Sequence, residues 1–370
     1  MADMKIVMDG TEADAVEGMT ILEVAEEKGV DIPTLCHIRE ILPRGACRVC
    51  VVEVQGMKTL VGSCHTPVSP GMVIETSSPK VLAARKATVE LLLAAHTGDC
   101  VTDTNAKNCS LHSLVSDLEA GPPRFRVREA RNYPAEEASP YVRRNLSKCI
   151  MCRKCVGACR DIAGEGLLSV GYRGFQAKIV FGRDEPLESE ECRDCGICID
   201  HCPTGALSTP ALTSRTQEDG NGKKASRREA PSEGAQRSAL LNLLKAAKEE
   251  EGFVSPDAIG RIAETHNIPI SDVYGVATFY SFFPVKPLGD NLIRICNNLP
   301  CSLKNSAMII ETVSEDLGIS PGGTTADRKY SFELTNCIGA CDMAPAMLIN
   351  DDVHGHLTPE KIRDVLNTYK

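Results

Sequence analysis

Short strand-like apolar runs and one helical stretch alternate along the first eighty positions of the chain. Such short apolar runs are consistent with strands, and they are found in residues 5–8, 49–54 and 73–76. Thr20 precedes an apolar helical run and Glu23 stands three residues later, which is the capping-box signature of a helix start. Gly29 has the position of the glycine that ends such a helix. We therefore predict a small β-grasp-like α+β domain over residues 1–80.

After residue 80 the apolar residues follow a helical period. Apolar residues recur there on one helical face, at Val81, Ala84, Val89, Leu92 and Leu93. We therefore predict a small helical domain over residues 81–139, followed by a cysteine-rich domain over residues 140–209. Residues 210–236 are dominated by Asp, Gly, Lys, Ser, Arg and Glu and lack an apolar period, which indicates a flexible linker.

The pattern becomes globular again over residues 237–370. Helices are predicted over residues 240–248 and 306–317, and strands over residues 291–296 and 330–334. Capping residues predict three further helix starts, at Ser255 before Pro256, at Ser271 and Asp272, and at Thr358 before Pro359. Because the order of strand, helix, strands and helix is thioredoxin-like, we predict a thioredoxin-like domain after the first of these helices.

Composition narrows the class of protein. A chain of 370 residues allows roughly two to four domains, and we expect an α+β multidomain protein. The net charge of −9 argues against nucleic-acid binding, and the basic residues at 223–228 are interpreted as part of a solvated tether. The first ten residues lack the apolar stretch of a signal peptide. The longest apolar stretch, near residues 89–95, is too short to span a bilayer. We therefore expect a cytoplasmic protein that meets a membrane only through partners.

Metal ligation explains the cysteine usage better than disulfides do. The chain has 18 cysteines, and a reducing cytosol keeps such thiols free. Two runs share one spacing: Cys149, Cys152, Cys155 and Cys159, then Cys192, Cys195, Cys198 and Cys202. Three thiolates spaced in this way fit three corners of an iron–sulfur cube, and in two-cluster ferredoxins the fourth ligand comes from the other run. We therefore expect Cys202 to complete the 4Fe–4S cluster of the first run and Cys159 to complete that of the second. Structural zinc is the alternative, but the third closely spaced cysteine of each run is surplus to a zinc knuckle.

Two further groups have ligand-like spacing. The first is Cys36, Cys47, Cys50 and Cys64. Four thiolates from one long loop and a later turn suit a 2Fe–2S cluster, and Gly45 lets the backbone come close to the sulfides. The second group is Cys296, Cys301, Cys337 and Cys341. Its spacing alone also allows zinc or a redox-active disulfide pair.

Residues 1–209 resemble one family almost from end to end. The first cysteine group and the motifs KCIMCRKC at 148–155, GYRGF at 171–175 and CPTGAL at 202–207 carry the resemblance. They are similar to the N-terminal part of the large iron–sulfur subunit of respiratory complex I. They are equally similar to the front of iron-only hydrogenases and to the diaphorase units of NAD-linked hydrogenases. The resemblance implies a 2Fe–2S ferredoxin, a small helical domain with a His/Cys cluster, and a two-cluster 4Fe–4S ferredoxin.

This chain departs from the family at the small helical domain. The family has His-x3-Cys-x2-Cys-x5-Cys there, which binds a 4Fe–4S cluster through three cysteines and one histidine. The corresponding residues are His96, Cys100, Asp103 and Cys109, so that an aspartate stands where a cysteine is expected. Three interpretations stay open. Asp103 ligates iron through oxygen, another group such as His112 or solvent completes the site, or this third 4Fe–4S cluster is absent.

Residues 237–370 resemble a second family. The motifs YGVATFYSF at 274–282, NCIGACDMAP at 336–345 and GHLTPE at 355–360 are similar to the 24-kDa-type 2Fe–2S subunit of complex I. The resemblance implies a small helical bundle and a thioredoxin-like domain. It also makes Cys296, Cys301, Cys337 and Cys341 the ligands of a second 2Fe–2S cluster.

Together the two resemblances imply an iron–sulfur electron relay. Both modules normally flank a flavoprotein that binds FMN and NAD(H), whereas this sequence has no Gly-x-Gly-x-x-Gly fingerprint after a strand. It also has no molybdopterin domain and no hydrogenase active-site domain, so we expect no complete active site in it. The expected partners are an FMN/NAD-binding flavoprotein and a further catalytic subunit, with ferredoxin as another candidate.

The class of complex stays open at this level. Soluble NAD(P)-linked hydrogenases, formate dehydrogenases, transhydrogenases and electron-bifurcating complexes all contain such subunits, and we favour a soluble complex of this kind. The first alternative is an iron–sulfur redox sensor or cluster carrier without an enzyme partner. The second is a zinc-loaded interaction scaffold.

Overall fold

The structure is a computed structural model that describes residues 3–96, 109–125, 133, 135–186, 192, 195–210 and 233–369. Cys100, Asp103 and most of the predicted linker lie outside these ranges. The chain divides into two compact units, Met1–Ser238 with Gly260–Tyr280 and Ala239–Ile259 with Ser281–Lys370. The predicted mixture of helices and several separate sheets is confirmed. Among the described residues, no helix combines the length and apolar character needed to cross a bilayer.

A five-stranded sheet and one helix form the N-terminal part of the first unit. Their elements are β1 (Asp3–Met8), β2 (Thr11–Val16), α1 (Ile21–Glu27), β3 (Val51–Val54), β4 (Val61–Gly62) and β5 (Val73–Glu75). The strand order is β2-β1-β5-β3-β4, in which β1 runs antiparallel to β2 and parallel to β5. The predicted capping box is confirmed, since Thr20 and Glu23 exchange side-chain and backbone hydrogen bonds at the start of α1. The apolar core between sheet and helix includes Cys50 and Cys64.

Four α-helices and two small sheets continue the described part of the first unit. The elements are α2 (Pro79–Ala94), α3 (Ser110–Asp117), β6 (Glu136–Ser139), β7 (Val142–Arg144), α4 (Lys154–Gly157), β8 (Leu168–Gly171), β9 (Lys178–Phe181), α5 (Ile197–Asp200) and β10 (Leu207–Ser208). One sheet has the order β10-β7-β6, and β8 pairs with β9 in a separate hairpin. The buried guanidinium of Arg144 joins the two sheets, because it donates to the Ile179 carbonyl at 2.6 Å and pairs with Asp184 at 3.2 Å.

Three helices come next: α6 (Glu233–Glu251), α7 (Pro256–His266) and α8 (Ile270–Phe279). Helix α6 begins inside the predicted linker, so residues 233–236 are helical. Helix α8 belongs to the first unit and packs against β8. Ser271 donates to the Gly166 carbonyl at 2.7 Å, and Asp272 accepts from the Ser169 hydroxyl at 2.9 Å. The prediction that Ser271 and Asp272 cap this helix is therefore wrong. Pro269 occupies the N-cap position. Ser271 and Asp272 do not cap the helix because their side chains form hydrogen bonds with β8 and the loop before it.

A four-stranded sheet organises the second unit. Its elements are β11 (Asn291–Cys296), α9 (Leu299–Leu303), α10 (Ser306–Leu317), β12 (Tyr330–Thr335), β13 (Met347–Ile349), β14 (Asp352–His354) and α11 (Pro359–Thr368). The strand order is β12-β11-β13-β14, with β11 parallel to β12 and the other pairs antiparallel. The predicted caps Ser255 and Thr358 are confirmed, since each hydroxyl accepts a backbone N–H in the first turn of its helix.

Candidate iron–sulfur sites

The first cysteine group gathers four buried thiols beside the five-stranded sheet. Cys36, Cys47, Cys50 and Cys64 are each at most 5% exposed. The Cys50 and Cys64 sulfurs lie 3.5 Å apart, and the Cys47 N–H donates to the Cys36 sulfur at 3.4 Å. Hydrogen bonding with the partner thiol lowers the pKa of Cys47 to about 6 and that of Cys50 to about 5. The same hydrogen bonds raise the pKa values of Cys36 and Cys64. One cysteine of each pair, Cys47 and Cys50, therefore favours the thiolate, which is the form of cysteine that ligates metal.

Left-handed backbone shapes the loop that carries these thiols. Gly45 has φ +58°, which a glycine adopts without strain, and Arg48 has φ +57°. The ring of His65 lies 3.2 Å from the place where a Cβ on Gly45 would be. Arg48 Nη1 donates to His65 Nε2 at 3.1 Å. Gly45 thus allows both a tight turn and the close approach of the His65 ring. The sequence did not predict that Arg48 and His65 lie at this loop.

Arg85 is a buried cation near the first cysteine group that the sequence did not predict. It lies on α2, is 4% exposed, and donates from Nη2 to the Val51 carbonyl at 2.9 Å. Burial lowers the pKa of Arg85, and the nearby Cys50 thiolate raises it. The sequence signal that could have indicated its burial was helical spacing. Arg85 lies four residues from both Val81 and Val89, and the three form one buried helical stripe that is otherwise apolar.

The second group comes together only in part within the described residues. His96 follows the end of α2 and Cys109 precedes α3, and both are buried. His96 Nε2 lies 3.9 Å from the Cys109 sulfur. His96 Nδ1 donates to the Lys148 carbonyl at 2.9 Å, an arrangement common in metal-binding histidines because it fixes the ring and its tautomer. His112 joins them, since the three residues offer ligand atoms within 4.8 Å of one another.

The third group crosses between the two cysteine runs. Cys149, Cys152, Cys155 and Cys202 line one cavity, so that Cys202 of the second run lies with three cysteines of the first. The Met151 N–H donates to the Cys149 sulfur at 3.4 Å. Such N–H···S hydrogen bonds stabilise the negative charge of thiolate ligands and tune cluster potentials.

The complementary set consists of the remaining four cysteines of the two runs: Cys159, Cys192, Cys195 and Cys198. Burial, followed by the charges of Cys159, Cys192 and Cys195, raises the pKa of Cys198. The Leu167 N–H donates to the Cys159 sulfur at 3.3 Å. All four except Cys195 are buried. The structure thus brings Cys159 toward the second run, as the crossed ligand sets require.

The fourth group lies in the second unit. Cys296, at the end of β11, and Cys301, in α9, are both 2% exposed, whereas Cys337 and Cys341 are exposed and their sulfurs lie 3.5 Å apart. A hydrogen bond from the Gly339 N–H, 3.4 Å from the sulfur, lowers the pKa of Cys337. Burial, followed by interactions with Cys296 and Cys341, raises the pKa of Cys301. Because β11 and β12 run parallel, Cys296 and Cys337 lie at and just after the carboxyl ends of neighbouring strands, at the same end of the sheet.

Four of the five cysteine sets adjoin one another inside the first unit. Cys36 and Cys47 of the first group, Cys109 of the second and Cys152 of the third share one buried apolar cluster. A second apolar cluster contains Cys155 of the third group and Cys159, Cys192 and Cys198 of the complementary set. None of the described cysteines is joined in a disulfide. Adjoining groups of closely spaced thiols of this kind are typical of proteins that hold several iron–sulfur clusters.

Comparison with known families gives the class of each part. Residues 2–79 match the 2Fe-2S iron-sulfur cluster binding domain, residues 139–208 the ferredoxin-like domain of NADH-quinone oxidoreductase subunit 3, and residues 226–370 the thioredoxin-like 2Fe-2S ferredoxin. Three parts of the chain are therefore similar to three iron–sulfur domain families. The resemblances predicted from the sequence are confirmed.

Relatives of the N-terminal part are subunits of larger oxidoreductases. The NADP-reducing hydrogenase subunit HndD of Solidesulfovibrio fructosivorans is 39% identical over 56% of this chain and 36% of its own length. The mitochondrial 78 kDa subunit of NADH-ubiquinone oxidoreductase of Neurospora crassa is 33% identical over 58% of this chain and 29% of its own. The alpha subunit of NADPH-Fe(3+) oxidoreductase of Geobacter sulfurreducens is 34% identical over 55% of this chain and 24% of its own length. The match thus spans between about a quarter and about a third of each relative.

A solved structure gives a similar result. An NAD+-reducing NiFe-hydrogenase in the H2-reduced state contains a chain that is 25% identical and superposes with a TM-score of 0.50. The match covers 57% of this chain and 89% of that one.

Proposed function

We propose that this chain is the iron–sulfur electron-relay subunit of a multi-subunit NAD(P)-linked oxidoreductase. The observation that carries the proposal is the shared apolar cluster in which Cys36, Cys47, Cys109 and Cys152 adjoin. Because Cys36 and Cys47 of the first group and Cys152 of the third meet in this buried core, redox centres held by these two groups would be close enough to exchange electrons. Relatives and a solved structure from NAD(P)-linked hydrogenases and oxidoreductases support the same class.

The thiol groups fit two 2Fe–2S and two 4Fe–4S clusters, as the sequence predicts. The first 2Fe–2S set is Cys36, Cys47, Cys50 and Cys64, and the second is Cys296, Cys301, Cys337 and Cys341. The 4Fe–4S sets are Cys149, Cys152, Cys155 and Cys202, and Cys159, Cys192, Cys195 and Cys198. When bound, such clusters accept and release single electrons. The N–H groups of Met151, Leu167 and Gly339 hold negative charge at their sulfurs, and burial excludes water from most of the thiols.

A relay needs a donor and an acceptor outside these domains. We propose an FMN- and NAD(H)-binding flavoprotein on one side and a catalytic subunit or ferredoxin on the other, since a flavin converts hydride transfer into single-electron steps. Flavin-based electron bifurcation is a narrower form of this proposal. Its signature would be reduction of ferredoxin that depends on the simultaneous presence of a second electron acceptor.

The proposal is tested by isolating the tagged chain anaerobically from its native cells. We expect about 12 iron per chain from the four clusters, co-purification of FMN, and bleaching of the cluster absorbance by NADH or NADPH. A salt wash that removes the flavoprotein should abolish the bleaching by NAD(P)H but not that by dithionite. A chain that is fully loaded with iron yet carries no flavin and is not reduced by NAD(P)H in the cell extract would contradict the relay and favour the sensor.

A further inference from the structure

We propose that His96, Cys109 and His112 bind a single divalent transition-metal ion of the zinc class. The complex I family implies a 4Fe–4S cluster at this position, held by three cysteines and one histidine. Asp103 breaks that pattern, because a carboxylate replaces one of the three thiolates. Among the described residues, the donors brought together are two imidazoles and one thiol. This donor set, with an aspartate in place of a cysteine nearby in the sequence, does not fit the family's cluster. This inference is independent of the relay, which runs through the other thiol groups.

The spacing of the donor atoms favours one ion over a cluster. The ligand atoms of the three residues all lie within 4.8 Å of one another, and His96 Nε2 lies 3.9 Å from the Cys109 sulfur. Zinc binds sulfur at about 2.3 Å and imidazole nitrogen at about 2.0–2.1 Å, so neighbouring donors of one tetrahedral ion lie roughly 3.5 Å apart. Ligands of a 4Fe–4S cube each bind a different iron and are held farther apart. A small movement of these side chains would complete a single-ion site.

The position of His112 supports its role as a ligand. Cys109 is the N-cap residue of α3 and His112 lies three residues later, so both project from the same face of the helix. His112 Nδ1 is buried and has no hydrogen-bond partner among the described residues. A buried polar atom without a hydrogen-bond partner costs free energy. Metal ligation at this ring would offset that cost.

The chemistry of the donor set selects the kind of ion. Imidazole suits zinc, copper, iron and nickel, and thiolate suits zinc and other soft ions. His96 and Cys109 are 7% and 3% exposed, and the Lys148 carbonyl fixes the ring of His96. Three protein donors leave a fourth position for solvent or a further side chain. Such an ion would join α2, α3 and the loop before Cys149 without changing its own oxidation state.

Metal analysis of the cluster-loaded chain tests the proposal. The full chain is purified anaerobically from cells grown with zinc, and zinc and iron are counted per chain. We expect about one zinc in addition to about 12 iron. The variant His112→Ala should lose the zinc and keep the iron. The matched control is His266→Ala, which alters an exposed histidine at the end of α7 and should keep both metals.

X-ray absorption at the zinc edge gives a second, independent measurement. A shell of mixed nitrogen and sulfur is expected, and His112→Ala should remove it together with the zinc. About 16 iron with no zinc would overturn the proposal, as would zinc that His112→Ala does not remove or a shell of sulfur alone. The electron paramagnetic resonance of the reduced 2Fe–2S clusters shows whether each variant is folded. Loss of iron from the wild-type chain would count against the relay instead, so the two failures are distinguishable.

Discussion

The hydroxyl groups of Tyr172 and Tyr274 lie 3.0 Å apart. Tyr172 donates to the Asp184 carboxylate, also at 3.0 Å, so Tyr274 is the donor between the two tyrosines. The Tyr172 N–H donates to the Thr278 hydroxyl at 2.9 Å. Burial raises the pKa of both phenols, so both stay protonated at neutral pH. These bonds fasten α8 to the β8–β9 hairpin of the first unit.

Removing the two hydroxyls should have unequal effects. Tyr274→Phe deletes one hydrogen bond and should lower the free energy of unfolding by about 1 kcal/mol. Tyr172→Phe deletes two and leaves the Tyr274 hydroxyl without its acceptor, so its cost should be larger, roughly 2–3 kcal/mol. Denaturant unfolding of the loaded chain measures both costs, and hydrogen exchange should show faster opening of α8. Equal costs, or exchange that is unchanged in α8, would contradict the proposed fastening.

The environment of His354 predicts a pH dependence of the second unit. Burial is the main cause that lowers the pKa of His354, Lys361 lowers it further, and Asp352 raises it. His354 Nε2 also lies 3.0 Å from the Tyr369 hydroxyl. A histidine whose folded pKa lies below its unfolded value of about 6.5 binds protons more readily when unfolded. Its contribution to stability is therefore present above about pH 6.5 and is lost as the pH falls through the folded pKa.

The variant His354→Gln isolates this contribution. Wild type should lose more stability than the variant between about pH 7.5 and pH 5.5, because only wild type must protonate this imidazole. The difference between their urea midpoints at the two pH values measures the effect. His266→Gln, at an exposed position, should behave like wild type. Parallel pH profiles for wild type and His354→Gln would show that His354 is not responsible.

The buried cation Arg85 should raise the potential of the N-terminal 2Fe–2S cluster. One-electron reduction makes the cluster more negative, and a nearby guanidinium stabilises that added charge. Arg85→Met should therefore lower the midpoint potential on the order of tens of millivolts, whereas Arg85→Lys keeps the charge and should shift it less. Redox titration followed by electron paramagnetic resonance measures both values. An upward shift in Arg85→Met, or equal shifts in the two variants, would show that charge is not the cause.

Local signals made much of the fold predictable. The boundaries of β11 and α10 match the predicted ranges, and Thr20, Ser255 and Thr358 cap helices as their sequence context indicates. The errors arise where distant segments compete for a side chain. Ser271 is an ordinary capping candidate until the Gly166 carbonyl, more than a hundred residues earlier, takes its hydroxyl.

The grouping of the cysteines was predictable for a different reason. Cysteine spacing records which thiols share a loop, so the groups can be read from the chain without knowledge of the fold. Arg85 has no such motif, and its role depends on the packing of α2 against β3. Likewise His112 could be named only as one substitute among several, because its distance from His96 is set by the approach of α2 and α3. The domain boundary at residue 237 stays a prediction, and residues 260–280 pack with the first unit.

The two cysteine runs are proposed to exchange their fourth ligands. Replacing the fourth cysteine of one run should therefore affect the cluster of the other run. Cys202 follows Cys198 in the sequence, yet it lines the cavity of Cys149, Cys152 and Cys155. Cys202→Ser should therefore destabilise the cluster of the first run, and Cys159→Ser that of the second. Each variant should lose up to about 4 iron per chain, with the 2Fe–2S signals retained.

Spectral comparison with partners inside each run decides which cluster is lost. Cys152→Ser should give the same residual electron paramagnetic resonance spectrum as Cys202→Ser, and Cys195→Ser the same as Cys159→Ser. Thr204→Ser is the control, because Thr204 lines the same cavity as Cys202 without belonging to either thiol set, and it should retain all iron. If Cys202→Ser instead matched Cys195→Ser, each run would bind its own cluster through four consecutive cysteines. The shared cavity would then have no role in ligation.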